Sequence, residues 1–143
     1  MRKKLVGIIL VLLFIPLCLP ETSLGEVKRE SSIQPLYTHI LQIDGSFNIS
    51  NGKAACYGAG RSQFTDTKTI VKVTLQKRVT GSTVWSSVCS WSDTQSGRTY
   101  AIVNEQKSIS RGYDYRILIK CTITDSEGVI QETDSMYSRV ISY

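Results

Sequence analysis

The sequence predicts an all-β chain folded as a seven-stranded antiparallel, immunoglobulin-like two-sheet sandwich, with a small closed barrel as the alternative. Three observations carry this reading. From His39 onward Thr, Val, Ile, Ser and Tyr dominate, and proline is absent. No stretch rich in Ala, Leu, Glu and Lys recurs with the three-and-four spacing of an amphipathic helix. Strand-like runs punctuated by glycine-bearing turns appear seven times in about 105 residues, the count and size of a single sandwich.

The runs follow in order. Ile40 to Ser50 is interrupted at Gly45 and puts Phe47 and Ile49 on one face. Asn51-Gly52 is the strongest hairpin signal in the chain, because both residues tolerate positive φ. Lys53 to Gly60 returns with Ala54 and Cys56 on one face and Ala55 and Tyr57 on the other, and Arg61 to Lys68 is a polar loop. Thr69 to Val79 alternates Val71, Val73 and Leu75 with Lys72, Thr74 and Gln76, a half-buried strand with one wet face. Past Gly81, Val84 to Trp91 places Trp85, Ser87, Cys89 and Trp91 on one face in strict alternation. Past Gly97 comes Tyr100 to Ser110, and past Gly112 comes Tyr113 to Ile123, whose odd-numbered positions carry Tyr115, Ile117, Ile119 and Cys121. A tight turn at Asp125 to Gly128 leads into Val129 to Ser142.

The first quarter of the chain reads as an address. Arg2, Lys3 and Lys4 precede an uncharged apolar run from Leu5 to Leu19, and Ser23-Leu24-Gly25 offers small residues at a cleavage position. This is the pattern of a secretory signal peptide over residues 1–25, too short to span a bilayer. Cys18 follows Leu17, where a lipid-modified cysteine requires a small residue, so it reads as part of the apolar run. Residues 26–38, polar and bearing Pro35, read as a flexible tether, and residues 39–143 as the sandwich domain. The expected location is extracellular. Over residues 26–143 there are 14 basic and 11 acidic side chains, a net charge of about +3. That is far from the dense basic stripe of a nucleic-acid binder, and no nucleic-acid partner is expected.

Few residues offer chemistry. A histidine-dependent triad needs a rigidly held base, and His39, the single histidine, stands beside the tether. The carboxylates fall mostly in turns, where Asp caps local backbone, and none forms an evident acid–base pair. Cys56, Cys89 and Cys121 lie more than 30 residues apart, unlike the close ligand pairs of zinc sites. No metal, cofactor or catalytic constellation is therefore expected. Trp85 and Trp91 are candidate ligand-binding residues, as a stacking platform for a glycan with Tyr100 or Tyr113. Cys89 between them on the same face favours a core role instead, since cysteine prefers burial. Cys56 and Cys121 occupy regions that face each other in an immunoglobulin-like sandwich and are the candidate disulfide, leaving Cys89 unpaired.

Gly112-Tyr113-Asp114-Tyr115-Arg116 resembles the tyrosine-bearing entry to strand F of immunoglobulin-like and fibronectin-like folds. Together with Asn51-Gly52-Lys53-Ala54, Thr74-Leu75-Gln76-Lys77, Trp85 and Ser90-Trp91-Ser92, it also resembles a group of small exported proteins of Gram-positive, clostridia-like bacteria. That resemblance covers residues 39–143. It implies a single β-sandwich behind a signal peptide and supplies no catalytic or binding residues. The function expected is contact with an extracellular protein or a cell-wall component, without catalysis. A glycan-binding module using Trp85 and Trp91 is the second expectation, and a small secreted hydrolase the third.

Overall fold

The computed structural model describes residues 37–143. The expectations for the signal peptide and for most of the tether lie outside the described residues. Eight strands form two antiparallel sheets: β1 (Ile40–Ser50), β2 (Lys53–Ser62), β3 (Lys68–Val79), β4 (Ser86–Ser96), β5 (Ala101–Ser108), β6 (Tyr113–Thr124), β7 (Ile130–Tyr137) and β8 (Ile141–Ser142). One sheet has the order β1-β2-β5; the other has β4-β3-β6-β7, with β8 also pairing β6. β2 and β6 thus occupy the centres of opposite sheets. The seventh strand region of the sequence is split: β7 runs along Leu118 to Thr124 of β6, and β8 returns to Asp114 and Tyr115.

The hairpin at Asn51-Gly52 forms as the sequence predicts, with φ of 50° and 74°. Alternation in β3 and β6 also holds. Val71, Val73, Leu75, Ile117, Ile119 and Ile123 are all buried to within 1%. The facing side of β2 is made of small residues, and this difference lets the sheets approach. A Cβ built on Gly58 would lie 2.5 Å from Val73 Cγ2, and one on Gly60 would lie 2.7 Å from Cys121 Sγ. The bulky side chains of one sheet therefore press into a glycine-lined channel in the other.

Tyr115 is anchored at both ends of its side chain. Its ring is 2% exposed, and its hydroxyl donates to the Ser110 carbonyl at 2.8 Å, five residues upstream. The bond has the form of a tyrosine corner and pins the connection from β5 into β6.

The sheets do not close into a barrel. Instead, a carboxylate stitches each open side. Asp93 on β4 accepts the N–H of Ile102 on β5 at 2.9 Å. Glu132 on β7 accepts the N–H groups of His39 and Ile40 at 2.7 Å each, and that of Thr38 at 3.2 Å. Tyr37 adds a hydroxyl hydrogen bond to Asp134. The last two residues of the expected tether are therefore fastened to β7.

Two further sequence readings are corrected. Cys56 and Cys121 both point inward, as their strands predict, but they do not pair: all three described thiols are free and none lies at bridging distance from another. The reason is stagger. Cys121 sits over Gly60, and Cys56 is four residues away along β2, roughly 13 Å at the rise of a strand. The second correction concerns β4. Leu75 pairs with Cys89 but Gln76 pairs with Ser87, so Val88 is an extra residue in a bulge. A one-residue insertion reverses every side chain beyond it. Cys89 and Trp91 face the core, while Ser87 and Trp85 turn outward.

Candidate functional site

The bulge separates the two tryptophans. Trp91 pairs with Val73 and packs, half-buried, against the core. Trp85 lies over the outer face of the five-stranded sheet, where the guanidinium groups of Arg116 and Arg78 stand 4.1 and 4.6 Å from its ring. Arg116 is also 4.0 Å from the ring of Tyr137. The result is an alternating ladder, Arg78, Trp85, Arg116, Tyr137, held by cation–π attraction. Trp85 and Trp91 therefore lie on opposite faces of the sheet, not on the one face that strict alternation predicts. Tyr100 and Tyr113 are engaged elsewhere: Tyr100 donates to Gln42 at 2.6 Å under Arg61, and Tyr113 stacks edgewise on Tyr115 beneath Lys77.

The same outer face concentrates charge. In register across β3 and β6, Lys72 stands directly opposite Lys120, Gln76 opposite Arg116, and Arg78 opposite Asp114. Lys68 begins the same row, and Lys68, Lys72 and Lys120 are all exposed. The face therefore carries five cations and one acid. The acid, Asp114, is only 4% exposed and is spent internally: Ser142 donates to it at 2.6 Å, Arg78 at 3.0 Å and Thr80 at 3.2 Å. The Ser142 hydroxyl first, and then Arg78 and Thr80, hold its carboxyl below the ordinary value despite burial. Residues 37–143 carry twelve basic and nine acidic side chains, a net of +3. This single face contributes +4, so the rest of the described domain is close to neutral.

The flanking strands supply hydroxyls. Ser90, Ser92, Thr94 and Ser96 of β4 are exposed on this face, and so are Thr133 and Ser135 of β7. Two lysines placed directly opposite each other repel, and a sheet selected for stability alone has no use for the arrangement. Sequence reading found the wet face of each strand separately. It missed the site because the pairing of β3 with β6, about 50 residues apart, is a long-range property.

Beyond the Lys68 end of this face lies a cleft of about 280 Å3 lined by His39, Phe64, Asp66, Thr67, Asp125 and Gln131. His39 is better held than its position beside the tether predicts: Glu132 fixes its backbone, and its ring tilts against Phe64 at 5.1 Å. Asp125 is consumed by its own turn. Its Oδ1 accepts the N–H of Glu127 at 3.0 Å and of Val129 at 2.8 Å, and its Oδ2 accepts the Gln131 amide at 2.9 Å. Among the described residues no cluster of three His, Cys, Asp or Glu side chains is arranged to hold a metal, and no helix is long and apolar enough to cross a membrane.

No family model matches the chain, no curated protein matches it, and no solved structure matches it.

Proposed function

We propose that this is an exported, non-catalytic β-sandwich that works by contact, and that its working surface is the outer face of the β4-β3-β6-β7 sheet. One observation carries the reading: the cross-strand pair Lys72 and Lys120, exposed at the centre of a face that holds the domain's whole positive excess. Electrostatic complementarity of this kind steers encounter and fixes orientation on an anionic partner. The partner belongs to the outside of a cell, a wall component or a surface protein, in keeping with the charged start, apolar run and small-residue exit of residues 1–25.

The test is co-sedimentation of the exported protein with washed cell envelopes at low salt. Native protein sediments with the envelopes. The triple variant Lys68→Ser, Lys72→Ser, Lys120→Ser stays in solution. A Lys53→Ser variant, altered at an exposed lysine of β2 on the other sheet, sediments like the native protein. Undiminished sedimentation of the triple variant overturns the reading.

A further inference from the structure

We infer that the cationic face takes a linear phosphodiester polymer of hydroxylated repeats, lying along β3 and β6. The inference rests on the working surface proposed above and names its ligand class.

The shape of the charge comes first. Lys68 and Lys72 are four residues apart on β3, and Lys120 and Arg116 are four apart on β6, each interval roughly 13 Å. From Lys68 to Arg78 the stripe runs for about 33 Å at the rise of a strand, and it is only two strands wide. A single small anion reaches Lys72 and Lys120 together but not Lys68 or Arg116. An extended polyanion aligned with the strands reaches them all.

The chemistry of the cations narrows the class. Both arginines are committed: Arg78 to Asp114 and Trp85, and Arg116 to Gln76 at 2.9 Å and to two aromatic rings. The Nε atom and the faces of both planar groups are therefore engaged. The free cations are the three lysines, compact point charges that suit a phosphate whose charge is spread over its oxygens. Rows of exposed hydroxyls on β4 and β7 border the stripe and can exchange hydrogen bonds with phosphate oxygens and with the hydroxyls of the repeats. Trp85 is covered by two guanidinium groups instead of being free to insert into a bilayer, and Leu118 and Ile70 are half-buried between strands.

Calorimetric titration of the exported protein with synthetic poly(glycerol phosphate) tests the inference. Binding is expected at 50 mM salt. Neutralising three phosphates gives a slope of log affinity against log salt near −2, hence a loss of about fifteenfold by 200 mM. Lys72→Ser with Lys120→Ser weakens binding at least tenfold. Both positions are exposed, and relief of the repulsion leaves the melting temperature equal or higher, which separates lost binding from lost fold. No binding at 50 mM salt overturns the inference. So does equal affinity for polygalacturonate, which assigns the face to carboxylates, or tighter binding to vesicles containing phosphatidylglycerol, which assigns it to lipid. Should the polymer fail while the double variant still loses envelope binding, the working surface stands and the ligand class falls. If the double variant keeps both, both fall.

Discussion

At Thr69 a hydroxyl has been carried into the core without a partner. The residue is fully buried on β3, and its Oγ1 makes no hydrogen bond. An unpaired buried hydroxyl costs more than the methyl that can replace it, so Thr69→Val is expected to stabilise the fold by ~1 kcal/mol, read as a higher denaturant midpoint at unchanged slope. Thr67 is the counterexample. Its hydroxyl lies 2.7 Å from Ser62 Oγ, and Thr67→Val is expected to lose about 1–2 kcal/mol. The cysteines differ in the same local way. Burial pushes the thiols of Cys56 and Cys121 up to about 12, so neither supplies thiolate at neutral pH. Burial also raises Cys89, although Lys107 draws it back down, and its side chain is only half-buried. Of these three, Cys89 alone is expected to react with Ellman's reagent in the folded protein, and all three in guanidinium. Rapid native labelling of Cys121 would contradict the packing described.

At the scale of the strand, β2 shows what small residues do. Gly58 is not in a left-handed conformation; it is glycine because Val73 and Ile119 occupy the space of its missing side chain, at 2.5 and 3.2 Å. Gly58→Ala is therefore expected to cost about 1–3 kcal/mol through overpacking. Combining it with Val73→Ala should give a total loss smaller than the sum, because the two changes share one space. Strand identity was legible in the sequence wherever alternation was unbroken, as in β3 and β6. The inward turn of Cys56 and Cys121 follows from that pattern. The β4 register was not legible, because strict alternation runs straight through Ser87, Val88 and Cys89. The adjacent apolar pair Val88-Cys89 was the only local sign of the bulge, and missing it put both tryptophans on one face. The lysine pair was half legible: each strand declared its wet side, but only the long-range register brings Lys72 to Lys120.

For the molecule as a whole, three carboxylates brace the sheets, Asp93 and Glu132 where backbone ladders leave pieces apart and Asp114 across strands that are already paired. Asp93 ties β4 to β5, Asp114 ties β6 to β3 and β8, and Glu132 ties β7 to the entry of β1. The N–H of Ile102 holds Asp93 below its ordinary value. Burial pushes Glu132 up, but the N–H groups of Ile40, His39 and Thr38 reverse this and bring it below 4.5. Each carboxyl binds its proton less readily folded than unfolded. The stability they contribute is fully present above the ordinary values of 3.8 to 4.5, and it is lost as pH falls through the lower folded values. The melting temperature is expected to be flat from pH 7 to 5 and to drop below about 4.5. Glu132→Gln should lower the plateau by about 1–3 kcal/mol and flatten the drop, since an amide cannot replace a charge shared by three donors. An acid limb as steep in Glu132→Gln as in the native protein would deny Glu132 its part. The clamp has a mechanical meaning as well. Tyr37 enters beside the β2–β3 and β6–β7 turns, whereas Tyr143 is hydrogen-bonded to Gly112 and Tyr113 at the opposite end of the sandwich. Tension applied through these two points runs parallel to the strands and loads the ladders in shear, so their bonds must fail together rather than one after another. The Tyr37–Asp134 bond and then the Glu132 carboxylate are the first fastenings on that line of force, and the Glu132 fastening is also one that acid releases.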